Sequence, residues 1–132
     1  SESIIEILDN IFNKKSKFIE QNHKFATYAK KIKKNEAEIN WNNSAKKILA
    51  KINGLNPSPG AWFKYKEKRY KIWRATTNEM KGFPGTILDK NFIVACGDKS
   101  LEFIEIQKEG KNKLLLKNFL TGVKFKQGDM LK

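Results

Sequence analysis

Cysteine is almost missing from this 132-residue chain: Cys96 stands alone. No internal disulfide can form, and a reducing, cytoplasmic setting is expected. Cys96 ends the apolar run Phe92-Ile93-Val94-Ala95-Cys96, so a buried filler is expected rather than a nucleophile. Histidine is equally scarce. His23 is the only one, set near Glu20 and beside Lys24 in a polar stretch with no legible general-base partner. No second His or Cys stands at ligand spacing, so no metal site and no catalytic residue are assigned. No apolar run approaches bilayer length, and the N-terminus lacks the basic-then-apolar layout of a signal peptide, so no membrane partner is expected. Gly54, Gly60, Gly82 and Gly85 form no phosphate-cradling pattern and read as turn residues. Glu36 and Glu38, on either side of Ala37, more simply serve local geometry than acid–base work.

What is abundant is lysine. Net charge is +13, from 27 basic and 14 acidic residues, and only Arg69 and Arg74 are arginines. Codon drift in an AT-rich genome also inflates lysine, so the distribution carries more information than the total. Residues 1–12 hold three acids and no base, whereas residues 14–34 hold eight lysines against Glu20. Residues 64–74 hold six bases against Glu67, and residues 106–132 seven lysines against two acids. Segregated blocks of this kind shape a field for a polyanion, although a solvated face accounts comfortably for the C-terminal block.

Along the chain, Ile4, Ile5, Leu8, Ile11 and Phe12 make an apolar stripe, widened by Ile7, that predicts an amphipathic helix from Ser1 to Asn13. Residues 14–35 have weak periodicity and dense charge, and read as an extended, docked arm anchored by Phe18, Ile19, Phe25 and Tyr28. A short helix follows, capped by Asn42 or Asn43 and running to about Asn53 through Ala45, Ile48, Leu49 and Ile52, with Gly54 as a left-handed cap. Asn56-Pro57-Ser58-Pro59-Gly60 then makes a rigid corner. Strands are predicted near 61–66, 69–77, 86–88, 91–96 and 101–107, with a helical turn at Lys117–Leu120 closed by Gly122 and a last short strand within Val123–Leu131. The fold class expected is mainly β with N-terminal helices: a small, closed or nearly closed OB-like antiparallel barrel behind an extended basic arm and a short helix.

The segment Ala26-Thr27-Tyr28-Ala29-Lys30-Lys31-Ile32-Lys33-Lys34-Asn35-Glu36-Ala37-Glu38-Ile39-Asn40-Trp41 resembles the linker of bacterial methionyl-tRNA formyltransferases. Ile52-Asn53-Gly54-Leu55-Asn56-Pro57-Ser58-Pro59-Gly60-Ala61-Trp62-Phe63 is similar to the start of their C-terminal domain. Lys71-Ile72-Trp73-Arg74-Ala75, Pro84-Gly85-Thr86-Ile87, Ala95-Cys96-Gly97 and Phe119-Leu120-Thr121-Gly122 follow in the family's order. Asn40 stands where that family usually has Asp, with no functional consequence expected.

The resemblance implies that residues 1–42 are the end of a catalytic domain plus its basic linker, and residues 43–132 the C-terminal helix and barrel. It implies a part that binds initiator methionyl-tRNA beside a missing N-terminal formyltransferase domain. That domain's catalytic Asn, His and Asp have no counterpart here, and its co-substrate, 10-formyltetrahydrofolate, is expected to bind there and no cofactor in this chain. Oligomeric state is left open. Lys31 and Lys34 fall on the basic positions of the family's linker motif, and Lys30 and Lys33 are extra. From the residues themselves, Lys64, Lys66, Lys68, Arg69, Lys71 and Arg74 are the hairpin's candidates for phosphate contact. Strand parity places Lys64 and Lys66 with Trp62, and Arg74 with Tyr70 and Ile72, so these bases are not expected to share one surface. Trp62, Trp73, Tyr65 and Tyr70 are expected to fill a small core in preference to stacking on bases. The alternative is the structural barrel of a related sugar formyltransferase, which binds no RNA and has no need of clustered lysines.

Overall fold

The computed structural model describes residues 2–123 and 125–132. Ser1 of the expected first helix and Lys124 of the expected last strand and C-terminal basic block lie outside the described residues. The chain divides into two compact units, Ser1–Lys30 and Lys31–Lys132.

In the first unit, helix α1 (Glu2–Phe12) carries the apolar stripe that the sequence predicts. The helix is closed by Lys14, whose φ of 55° lets the Lys15 amide bond back to the Asn10 carbonyl at 2.8 Å and the Lys14 amide to Ile11 at 3.1 Å. Beyond it the chain is irregular apart from a 3-10 turn at His23–Phe25, where the Asn22 side chain accepts from the Lys24 amide. Phe18, Ile19, Phe25 and Tyr28, expected as the anchors of this arm, are all exposed.

In the second unit, helix α2 (Ala45–Gly54) buries Ala45, Ile48 and Ile52, turns Lys46 and Lys47 outward and donates from Lys51 Nζ to the Glu38 carbonyl at 2.7 Å. Its cap is Ser44, which accepts from the Lys47 amide, and not Asn42 or Asn43. Those asparagines are already engaged by Asn40, whose Oδ1 takes the Asn42 amide while its carbonyl takes Asn43 Nδ2. Gly54 closes the helix without a left-handed φ; that conformation falls to Gly60, at φ 79°, after a corner in which both X-Pro peptides are cis. The Gly60 amide returns to the Leu55 carbonyl at 2.9 Å and locks the corner.

The sheet is antiparallel, in the order β1 (Trp62–Tyr65), β2 (Lys68–Asn78), β4 (Ser100–Lys108), β3 (Ile93–Ala95), with β5 (Lys113–Leu115) also paired to β4. It is open, where a closed or nearly closed OB-like barrel was expected. Residues 85–88 and 128–132 run along its edges without forming a ladder: Thr86 bridges Met130 and Ile87 bridges Val94. The Gly85 and Leu88 amides bond to the Ala95 and Ile93 carbonyls, the Ile87 and Leu131 amides to the Asp129 and Gly85 carbonyls, and Lys64 and Lys132 exchange reciprocal backbone bonds. The predicted strands at 86–88 and 123–131 are therefore no more than bridge positions. Turn chemistry limits the first: Asp89 Oδ1 takes the Asn91 and Ile93 amides and folds the chain back before a ladder can lengthen. Helix α3 (Leu116–Gly122) is longer than the expected turn and buries Leu116 and Phe119. Strand β5 has no apolar alternation to announce it, since all its side chains are exposed.

The core is aromatic: Phe63 packs on Tyr70 and Phe103 with centroids 5.5 and 5.8 Å away, and Phe92 joins Phe103 at 5.1 Å. Cys96 is buried among these groups, as expected, and burial pushes its thiol up to about 12. Next to it, Gly97 donates to the carbonyls of Trp41 and Asn43, an approach so close that a Cβ would fall 2.0 Å from the Asn42 oxygen.

Candidate nucleic-acid interface

Strands β1 and β2 are joined by Lys66 and Glu67, both at positive φ (47° and 59°), the two-residue hairpin geometry that follows strand twist. The register is thereby set: Trp62 opposes Lys71, Phe63 opposes Tyr70, and Lys64 opposes Arg69. Directly opposed residues share a face of the sheet. Phe63, Tyr65 and Tyr70 turn into the core, and Trp62, Lys64, Arg69 and Lys71 come together on the other side.

There the cations lie on indoles. The guanidinium of Arg69 is 4.3 Å from the Trp62 ring centroid, and Lys64 Nζ is 5.9 Å from the same ring. Lys71 Nζ sits 5.4 Å from the Trp73 centroid and donates to the Pro59 carbonyl at 2.8 Å. The edge of each indole is tied down as well. Trp62 Nε1 donates to the Lys34 carbonyl at 2.8 Å, which fixes the end of the lysine-rich segment to the hairpin, and Trp73 Nε1 donates to Gln107 Oε1 at 3.0 Å. A cavity of about 400 Å³ opens between the corner and the hairpin, lined by Lys34, Ser58, Trp62, Arg69, Lys71, Gln107, Glu109 and their neighbours. Glu109 is its only acid, with Oε1 4.0 Å from Arg69. With Trp62 buried under Arg69, base stacking on that ring is closed off, and Tyr65 and Tyr70 fill the core.

The other candidates are placed elsewhere. Lys66 belongs to the hairpin turn, 4.8 Å over the Tyr65 ring and 3.9 Å from Asp129. The Tyr65 hydroxyl donates to Asp129, holding that carboxyl below its usual range; the same hydroxyl is the main cause that raises the Lys66 ammonium. Lys68 is exposed at the start of β2, opposite Tyr65. Arg74 departs from simple parity, because a β-bulge around Trp73 shifts the register so that Arg74 opposes Glu105 and emerges exposed. Lys31 and Lys33 are exposed beside Lys34, and Lys30 ends the first unit. Glu36 has a local role, accepting from the Lys33 amide at 2.9 Å and capping the 3-10 turn Lys34–Ala37.

Sequence reasoning missed Ser58, Gln107 and Glu109 as lining, since they reach the hairpin only through the corner and through β4. The pairing of Trp62 with Lys71 was legible from the hairpin and would have marked Trp62 as a platform for cations.

Comparison with known proteins shows the family. A model of the formyl transferase C-terminal domain matches residues 31–124. Over 132 residues the chain is 44% identical to the methionyl-tRNA formyltransferase of Pelagibacter ubique (strain HTCC1062), covering 99% of this chain and 43% of that protein. The methionyl-tRNA formyltransferase of Rickettsia prowazekii (strain Madrid E) is 40% identical, with 100% and 44% covered. The chain thus spans about two fifths of the length of these curated relatives. Crystalline HypX from Aquifex aeolicus in complex with tetrahydrofolic acid superposes with a TM-score of 0.72 at 23% identity, over 99% of this chain and 26% of that one. At that identity the likeness speaks for the fold alone.

Proposed function

The chain belongs to the formyl transferase C-terminal domain family, and from that membership we propose that it is the tRNA-binding part of a methionyl-tRNA formyltransferase that acts on initiator methionyl-tRNA. Its cations hold the sugar-phosphate backbone of the acceptor region. Formyl transfer from 10-formyltetrahydrofolate belongs to the part of the longer relatives that this chain does not span, and the setting is the cytoplasm.

The observation that carries this reading is the meeting of Lys34, Lys64, Arg69 and Lys71 around Trp62. The sugar-enzyme appendage has no use for such a cluster. An A-form stem offers phosphates and 2′-hydroxyls and keeps its bases stacked inside, so a face of fixed ammonium and guanidinium groups suits it better than exposed aromatics would. Phosphate contacts of this kind position the partner and carry no sequence information.

The test is a titration of the chain with initiator tRNA at rising salt. Affinity should fall steeply with ionic strength and should weaken for every tRNA alike when Lys31 and Lys34 are replaced by Ala. Binding indifferent to salt, or unchanged in that double variant, would exclude the arm and its field.

A further inference from the structure

The cavity between the corner and the hairpin holds a feature that a diffuse basic field does not need. Arg69 Nε is buried and has no hydrogen-bond partner. A buried donor left unpaired is costly, and native structures retain few of them, so each calls for an explanation. The neighbouring Glu109 does not discharge this need: its Oε1 is 4.0 Å from the terminal nitrogen of Arg69, beyond hydrogen-bond length, and its side chain is 66% exposed. The guanidinium itself is well placed to recognise something. Trp62 beneath it limits its orientation, and its planar fork of donors matches two oxygens of one phosphate. Lys34 and Lys71 line the same space with Ser58, so its charged groups sum to a positive site even with Glu109 present.

We propose that this cavity is a discrete phosphate pocket, in which Arg69 grips one phosphodiester of a bound RNA between Lys34 and Lys71 while Glu109 swings aside. The proposal rests on the RNA-binding reading above and deepens it by naming the atom group held. Glu109 acts as a stand-in anion: it partly neutralises Arg69 in the free protein and must yield to phosphate, which weakens adventitious small anions more than a multiply attached RNA.

The whole chain, labelled with nitrogen-15, provides the test, because its indole N–H signals report the cavity directly. Trp62 and Trp73 donate to groups at the cavity wall, whereas Trp41 lines a different groove and serves as internal reference. Inorganic phosphate in dilute buffer should shift the Trp62 and Trp73 signals saturably and leave Trp41 in place. Arg69→Gln should abolish the saturation, Arg69→Lys should weaken it severalfold because the fork is lost, and Glu109→Gln should tighten it severalfold. Glu109 is exposed, so its variant keeps the test decisive should the arginine variants fold poorly. A short RNA duplex should move the same two signals, and inorganic phosphate should compete with it. Equal shifts at all three indoles, or no response to phosphate, would overturn the pocket. Shifts with inorganic phosphate but none with RNA would make it a small-anion site and overturn its assignment to the RNA interface. RNA binding that leaves these signals and Arg69→Gln indifferent would remove the pocket while the tRNA-binding reading stands; a chain that retains no RNA would remove the reading itself.

Discussion

Arg69 and Trp62 are diagonal neighbours across the β1–β2 hairpin, with the guanidinium carbon 4.3 Å from the ring centroid. Trp62 thus holds a cation on its face and, through its Nε1 at the ring edge, the Lys34 carbonyl. Trp62→Phe keeps an aromatic surface and deletes the second link. It should cost about 1 kcal/mol of stability, seen as a melting temperature lower by several degrees, and should weaken tRNA binding through the loosened Lys34 segment. An unchanged affinity in a folded Trp62→Phe variant would show that the tether does not position Lys34.

Salt dependence gives a count of the contacts. If Arg69, Lys34 and Lys71 hold one phosphate together and Lys64 a second, the logarithm of the binding constant should fall with the logarithm of salt at a slope of about −2. Lys64→Ala should make that slope shallower by about one. Filter-binding or fluorescence titrations across a salt series would measure both.

Gly97 is held by contact rather than by φ. A methyl group there would sit 2.0 Å from the Asn42 backbone oxygen, and both carbonyls that take the Gly97 amide are backbone too. Gly97→Ala should therefore destabilise by about 3 kcal/mol or more, at the upper end of overpacking costs. Denaturant unfolding with an unchanged slope and a lower midpoint would report it.

Burial holds the Cys96 thiol up at about 12, above its ordinary 9.0. The folded state thus favours the neutral thiol, and the stability this contributes is full below about 9. It is lost as pH rises from there through about 12, because the unfolded chain ionises first. Cys96→Ser should flatten the alkaline fall in stability. In the native protein the thiol should react with a disulfide reagent at mildly alkaline pH only as fast as the chain opens, a rate readable by absorbance.

Much of the local structure was legible in the residues. The stripe from Ile4 to Phe12, the spacing of Ala45, Ile48 and Ile52, and the alternation of the two hairpin strands each depend on neighbours a few positions away. The turn, by contrast, falls at Lys66-Glu67, one residue earlier than the strands predicted at 61–66 and 69–77 imply. The helix cap was misread because Asn42 and Asn43 are spent on the Asn40 turn, a competition that composition does not display. The candidate site divided in the same way. Lys64, Arg69 and Lys71 follow from hairpin parity. The departure of Arg74 comes from a bulge in the pairing of β2 with β4, and Lys66 goes to Tyr65 and Asp129, the latter sixty-four positions from that tyrosine.

The sequence by itself determined that the chain carries segregated blocks of lysine, a proline corner and a short hairpin, because charge pattern and turn chemistry act over a few residues. Only the tertiary structure decided which cations meet. Sheet register set Arg69 over Trp62, the Trp62 indole N–H drew the Lys34 carbonyl to its edge, and β4 with the turn after it delivered Gln107 and Glu109 to the rim. Whether the sheet closes was decided there too, since it depends on how many backbone groups the distant segments 85–88 and 129–132 offer to its edges.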